Sequence, residues 1–362
     1  MYEQENRLLN FYTPLGKDEL LLTGFHGKEG LSELFTFELD LISERHNISF
    51  NDILGKQVCI SITLAEETNK RFIHGIISNF SHVGGDKNNA DFSLYTATMV
   101  PWFWLLTRTA DSRKFLDHTI PEIIEIVFSE YDFTEYSFRL HGSYEIREYT
   151  VQYRETDFNF ISRLLEENGI YYFFDHSEEK HTMVLADSPT EHKPCPEQES
   201  ARYMITRASE ENEDYIVDLE IMKEIRAGKY TLNDYNFKVP NAALEAIVLS
   251  KYKMKPGERE IYDYPGEYTN HSDGEGLANI RMEEEEARIT TITGSSTCRS
   301  FVSGFRFSLE DYFREEMNNK EFVLIHIEHM ASQQPFQTGS TIGGDSETSY
   351  TNKFNCIPFE IP

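Results

Sequence analysis

Between residues 20 and 100, apolar and polar positions alternate in short runs. Leu20-Leu21-Leu22 opens a strand, and Phe25 to Ser32, which contains Gly27 and Gly30, reads as a turn. Phe35, Phe37, Leu39 and Leu41 alternate with Thr36, Glu38 and Asp40. Val58, Ile60, Ile62 and Leu64 alternate in the same way with Cys59, Ser61 and Thr63. A period of two is the signature of a strand with one face buried. Between these runs a short helix or turn at Asn51 to Leu54 ends on Gly55. Arg71 to Ser81 is apolar enough for a central strand, Gly84-Gly85-Asp86 marks a turn, and Phe92, Leu94, Thr96 and Thr98 begin another strand. About five short strands separated by turns predict a small barrel.

The pattern changes at Pro101-Trp102-Phe103-Trp104-Leu105-Leu106, an aromatic cluster that reads as core at a domain boundary. Thr119 and Glu122 have capping-box spacing, ahead of a helix that buries Ile123, Ile124, Val127 and Phe128. In Arg147 to Arg154, Tyr149, Val151 and Tyr153 alternate with Thr150, Gln152 and Arg154, predicting a strand with its aromatic face inward. A second helix follows, with Thr156 as cap, Asp157 at the positive end of the dipole, a face of Phe158, Ile161, Leu164 and Leu165, and Gly169 as C-terminal cap. Ile170 to Phe174 and His181 to Leu185 form a hairpin, and His192 to Ser200 is a loop.

Strand patterns return at Ile216 to Lys223, with Val217, Leu219 and Ile221 as the apolar set, and past Gly228 at Tyr230, Leu232 and Tyr235. Tyr262-Asp263-Tyr264-Pro265-Gly266 is a turn, Glu275 to Ile289 a helix, and Phe301 to Leu309 and Phe322 to His329 the last strong strands. The fold class expected is β-rich α+β, with two small β-barrels and associated mixed α/β segments. Its units are residues 1–100, a first barrel; 101–200, a mixed α/β domain; and 201–362, a second barrel with a helical insertion near 275–290. One echo hints at duplication: Gly55 precedes a strand that returns at Phe72 to Ile77, and Gly304 precedes one that returns at Phe322 to Ile327.

With 62 acidic against 34 basic residues the net charge is -28. Such a surface repels phosphate backbones and anionic lipid, which argues against nucleic-acid and membrane partners. No apolar N-terminal run resembles a signal peptide, and no stretch of 18 apolar residues occurs, so export would need a machine. Cys59, Cys195, Cys298 and Cys356 lie far apart and read as free thiols, compatible with a reducing cytosol. The twelve histidines do not gather. His326 and His329 fall on opposite faces of a strand, and His176 and His181 flank a hairpin turn, so each reads as a satisfied ring. Glu283 to Glu286 reads as a solvated helix face. No nucleophile elbow, zinc-protease or phosphate-loop motif is present. No catalytic, cofactor-binding or metal-binding residue is therefore assigned, and the chain reads as interaction surface. The alternative is an acidic hydrolase acting on cell-wall polysaccharide or peptide.

The run from Gln152 to Phe174 resembles, without a gap, the signature segment of the VgrG spike proteins of bacterial type VI secretion. Leu31 to Leu41, Arg71 to Ile76, Val100 to Leu106, Asp111-Ser112-Arg113, Tyr262 to Gly266 and the Glu-rich helix at 282–287 are similar to further landmarks of that family. The resemblance spans most of residues 20–362. It implies a fold like the tail hub protein of T-even phages, assembled as a homotrimer whose six barrels make a pseudo-six-fold ring. It further implies docking on the hexameric tube protein Hcp, contact with baseplate proteins, and delivery of effectors or adaptors through a part outside this sequence. Residence in the bacterial cytoplasm before firing and secretion afterwards follow, with no membrane insertion. In the family, a segment like Asn355 to Pro362 leads into an oligonucleotide/oligosaccharide-binding-type barrel and a β-helical needle, so the chain is expected to be the hub portion alone.

Overall fold

The computed structural model of the protein describes residues 2–65, 69–85, 92–204, 213–252, 259–333 and 348–361. The first strands are β1 (Leu9–Tyr12), β2 (Leu21–Gly30), β3 (Thr36–Ser43), β4 (Gln57–Thr63), β5 (Lys70–Gly85) and β6 (Ser93–Val100), ordered β1-β4-β5-β6-β3-β2 in space. They curl around Phe11, Leu22, Leu39, Ile60, Ile73 and Ile77. The seam between β1 and β2 is closed by a side chain. The Gln333 amide accepts from Leu9 N–H at 3.1 Å and donates to the carbonyls of Leu9 at 3.0 Å and Leu22 at 2.5 Å.

The segment expected to turn at Phe25 to Ser32 is instead the second half of β2. It continues as a strand because it has a partner on each edge, β3 on one side and a distant C-terminal strand on the other. Its glycines allow close approach: a Cβ on Gly27 would lie 2.2 Å from the Phe37 ring. Of the turn expected at Gly84-Gly85-Asp86, the glycines end β5, and Asp86 lies outside the described residues.

A 3-10 helix, Trp102–Arg108, buries Trp102, Phe103 and Leu106 against the middle of the chain. That middle holds β7 (Ala110–Phe115), α1 (Ile120–Ser129), β8 (Tyr136–Arg139), β9 (Thr150–Thr156), α2 (Asp157–Glu167), β10 (Tyr171–His176) and β11 (His181–Ala186). Helix α1 carries the capping box, with Thr119 N–H donating to Glu122 at 2.8 Å and Glu122 N–H to Thr119 Oγ1 at 3.4 Å. Helix α2 is capped by Thr156 and buries Phe160, Ile161, Leu164 and Leu165, with Phe158 only partly covered.

Strand β9 faces opposite to the sequence expectation. Tyr149 and Tyr153 are exposed, whereas Gln152 is fully buried. A polar network drives this. Asp157 accepts from Tyr131 Oη at 2.5 Å, Thr109 Oγ1 and Gln152 Nε2 at 2.7 Å, and Arg113 Nη2 at 3.0 Å. Asp157, in the first turn of α2 as expected, is thus also the buried acceptor that ties α2 to β7, β9 and the end of α1. Burial raises its pKa, but these donors outweigh it and hold the carboxyl below its ordinary value.

The remaining strands are β12 (Ser200–Arg202), β13 (Ile216–Lys223), β14 (Lys229–Leu232), β15 (Ala246–Leu249), β16 (Glu260–Asp263), β17 (Thr290–Ser296), β18 (Arg306–Glu310), β19 (Glu321–Ser332) and β20 (Ser349–Pro358), with α3 (His271–Ala287) between β16 and β17. A second barrel runs β12-β18-β19-β20-β17-β13 around Leu219, Phe301, Phe307, Leu324 and Phe354. A bridge between Tyr203 and Ile216 joins β12 to β13 and closes it. A bulge between Ile216 and Asp218 breaks the strict alternation expected of β13, so Val217 points to solvent. Strands β14, β15 and β16 form a separate sheet packed on α3.

Of the glutamates at 283–286, expected as a solvated face, Glu284 is exposed but Glu285 and Glu286 are engaged. Glu285 holds Arg226 through two bonds at 2.8 and 3.0 Å, and the buried Glu286 accepts from Ser250 Oγ and Lys251 N–H. They bind the insertion sheet and its connections to the helix.

Candidate functional site

The two barrels are built to one plan. In chain order, strands β1 to β6 of the first correspond to β12, β13, β17, β18, β19 and β20 of the second, and the spatial orders match strand for strand. The registers match as well. Phe37 opposes Met99, which opposes Ile77; Ile292 opposes Cys356, which opposes Leu324. A bulge lies between Ile77 and Asn79 in one and between Leu324 and His326 in the other; β5 has one further bulge, between His82 and Gly84, without a counterpart in β19. A second bulge lies between Leu22 and Gly24, and again between Ile216 and Asp218.

The glycine echo read from the sequence has a backbone cause. Gly55, at φ 71°, donates to the carbonyl of Ile77 at 2.8 Å, and Ile77 N–H donates to Lys56 at 3.1 Å. Gly304, at φ 83°, donates to Leu324 at 2.8 Å, and Leu324 N–H donates to Phe305 at 2.9 Å. Both sites need a left-handed residue to begin the same strand pairing, which favours glycine. The plans differ in one strand: β1 pairs antiparallel to β4, and β12 parallel to β18.

The barrels join edge to edge. Strand β2 pairs antiparallel with β19 from Gly24 opposite Ser332 to Gly30 opposite His326. Beneath this ladder, Glu29 sits with both oxygens engaged. Arg71 pairs with it, His329 Nε2 approaches to 2.7 Å, and Ser303 donates at 3.2 Å. Burial pushes the Glu29 pKa up, but Arg71 and His329 overrule it and hold the carboxyl far below the carboxylate range. His329 donates from Nε2, so its Nδ1 accepts from Tyr350 Oη at 2.7 Å.

Three of the histidines gather, contrary to the sequence reading. Trp102 N–H donates to His181 Nε2 at 3.0 Å. His181 must then carry its proton on Nδ1 and donate to His74 Nδ1 at 2.9 Å, and the His74 backbone N–H donates to His176 Nδ1 at 3.2 Å. All three rings are neutral. Burial lowers His74 and His176 to about 4 and His181 well below its ordinary value. The cluster seats the β10–β11 hairpin on β5. His74 lies more than a hundred residues from its partners, so no spacing in the sequence signalled it. With both nitrogens of His181 occupied, this is a structural latch. Among the described residues no group of three or more His, Cys, Asp or Glu is placed to hold a metal ion. All four cysteines are free and buried, with Cys59 and Cys195 pushed up to about 12, mainly by burial.

Each barrel also presents a stretch of strand edge. The 79–85 half of β5 pairs with β6 on one side, and among the described residues no strand pairs with its other side. Beyond Ile216 the outer edge of β13 likewise pairs with no strand among the described residues, and there the Leu219 carbonyl accepts from Tyr312 Oη at 3.4 Å. Val83 is 62% exposed and Met222 54%.

The model of the phage tail baseplate hub (GPD) family matches residues 28–335. The chain is 37% identical over 354 residues to the type VI secretion system spike protein VgrG1a of Pseudomonas aeruginosa, covering 98% of this chain and 54% of that protein. It is 36% identical to VgrG1b of the same organism, covering 98% and 47%. The chain thus spans about half the length of these curated relatives. Among solved structures it is similar to an E. coli type VI secretion component described as resembling the T4 bacteriophage tail proteins gp27 and gp5. That match has a TM-score of 0.70 at 19% identity, over 96% of this chain and 76% of the other.

Proposed function

The chain belongs to the phage tail baseplate hub family, and from that premise we propose that it is the structural hub portion of a type VI secretion spike. Three copies present six like barrels to a hexameric tube protein of the Hcp type. The observation that carries this reading is the duplication. A three-fold object meets a six-fold one only if each chain offers two equivalent surfaces, and here two barrels share strand order, register and the bulges after Leu22 and Ile77.

The division into residues 1–100, 101–200 and 201–362 belongs to the same reading. It is supported by β6 ending at Val100 and β12 starting at Ser200. Baseplate contacts and effector delivery are assigned to the assembled spike, which waits in the cytoplasm and leaves through the machine. The chain has no catalytic activity of its own in this view. Turnover of peptidoglycan, peptide or nucleotide that disappears on substituting one polar residue would overturn that.

Assembly must outweigh the repulsion between chains of net charge -28 each. Added salt screens that repulsion beyond about 8 Å at physiological strength, so the trimer should be favoured as salt rises. Sedimentation across concentration and salt tests it. A strict monomer throughout, even when a trimeric coiled coil is fused after residue 362, overturns the reading.

A further inference from the structure

The duplication identifies the subunit junction. Within one chain, β2 of the first barrel is joined to β19 of the second. The counterpart of β2 in the second barrel is β13, and the counterpart of β19 in the first is β5. Within the two barrels these two counterparts keep an edge that pairs with no strand among the described residues. The open stretch of β5 is also the right one. Strand β19 carries β18 along residues 321–323 and β2 along 326–332, both on the edge away from β20. Strand β5 carries β4 along 70–76 on the matching edge and then nothing among the described residues. Up to its bulge at His82, the vacancy on β5 therefore corresponds to the part of β19 that β2 fills.

We propose that residues 221–224, on and just beyond β13, of one chain add to residues 79–82 of β5 in a second copy of this chain, as an antiparallel ladder that repeats the junction of β2 with β19 up to the bulge at His82. The proposal rests on the trimer reading above and adds to it the surfaces and the register. Lys28 opposes Glu328 within the chain. Lys28 lies six residues after the bulge-preceding Leu22, as Met222 does after Ile216, because 28 - 22 and 222 - 216 are equal. Glu328 lies four after Leu324, as Ser81 does after Ile77, because 328 - 324 and 81 - 77 are equal. Met222 of one chain thus faces Ser81 of the next.

Both edges suit this partner. Asn79, Ser81 and His82 on one, and Met222, Lys223 and Glu224 on the other, are exposed, so a ladder forms without unburying a core residue. Bare strand edges present rows of unpaired backbone donors and acceptors, and pairing with another strand is the direct way to satisfy them. Each chain gives β13 and receives on β5, so the contact is head-to-tail. Such contacts close into a ring or grow into a filament. Three chains close a ring of six barrels linked by six ladders, three within chains and three between them.

The test is disulfide trapping with Met222→Cys and Ser81→Cys in the full chain, alone and with a trimeric coiled coil fused after residue 362. Directly opposed residues in an antiparallel pair are about 4.5–5.5 Å apart at Cα, within disulfide reach. The native cysteines are all buried, which keeps the background low. The expected result is covalent dimers and trimers on a non-reducing gel, with none from Met222→Cys combined with Val83→Cys, which is two residues out of register. An unchanged thermal melt of the reduced protein verifies folding. A trimer by sedimentation that fails to link through the matched pair overturns the proposed junction and leaves the trimer reading standing. Linking only through the shifted pair overturns the register, and a link confined to a single chain's mass overturns the intermolecular ladder. A monomer that neither links nor sediments as a trimer, in the fused form as well, overturns both.

Discussion

Lowering the pH from neutral to about 4.5 should destabilise this protein through its histidine latch. The His74 and His176 rings are neutral in the fold and titrate near 4, against an ordinary value of 6.5. The unfolded chain therefore binds protons more readily than the folded one between these values. The latch contributes its full stability above pH 6.5 and loses it as the pH falls toward 4. At about pH 4.5 a ring with these two constants costs about 2.5 kcal/mol, so the pair costs about 3–5 kcal/mol, since a proton on one ring discourages the next. Charges around the cluster do not rescue it. Glu29 already pairs with Arg71 and His329 beside His176, and the partner facing His74 is another neutral ring. His192 and His329 are also lowered by burial and act in the same direction. His326, raised by Glu33, acts in the opposite one. Urea unfolding at half-unit steps from about pH 7.5 to 4.5 gives the slope, and the variant carrying both His74→Gln and His176→Gln isolates the latch. A stability that is flat across the window, or a slope unchanged in the double variant, would refute the assignment.

Three other outcomes can be measured by denaturant or thermal unfolding. Gln333→Ala strips three hydrogen bonds from the buried seam of the first barrel and should cost about 2–4 kcal/mol; a loss under about 1 kcal/mol would mean the seam closes without it. Asp157→Ala leaves Tyr131, Thr109, Gln152 and Arg113 without their shared acceptor and should cost about 3–5 kcal/mol; a change no larger than at an exposed carboxylate would show the network to be incidental. Gly276→Ala, at an exposed position in α3 where a Cβ meets nothing within 4 Å, should stabilise by about 0.5–1 kcal/mol; a lower melting temperature would mean that α3 is not helical there.

The parts of the fold legible in the sequence are those in which local pattern and tertiary demand agree. The caps at Thr119 and Thr156 and the alternating strand β3 form as expected, because each satisfies its own neighbourhood. Illegible parts are those where a distant partner reverses the local rule. The aromatic face of β9 lies outward because Arg113 and Asp157 draw Gln152 inward, and neither is visible from residues 147–154. The run Phe25 to Gly30 has turn composition, yet it is the most fully paired strand at the junction, since its glycines admit Phe37 and the backbone of β19. Glu286 is buried for the same kind of reason, its Oε1 accepting from both Ser250 Oγ and Lys251 N–H.

The duplication shows the limit most clearly, because it is written in backbone geometry rather than in side-chain identity. Met99 and Cys356 occupy equivalent positions, as do Phe37 and Ile292, and the two cores share little beyond being apolar. A barrel interior accepts any well-packed apolar set of the right volume, so sequence drifts there at low cost. The turn at Gly55 and Gly304 has no such freedom. A side chain at Gly304 would be strained at φ 83° and would place its Cβ 2.6 Å from the Phe173 ring. A pair of glycines is therefore the trace a duplicated barrel retains longest. Strand edges follow the same logic, since what two equivalent edges must share is the spacing of donors and acceptors and the position of the bulge. That requirement is met by β2 and β13, and by β19 and β5, without a residue in common at the paired rows: Lys28 against Met222, and Glu328 against Ser81. The salt bridge between Lys28 and Glu328, at 2.8 Å and half exposed, is thus a local addition to the inner junction. What the inner junction and the proposed one hold in common is the backbone ladder, which in the proposed ring lets one chain supply two of six near-equivalent places.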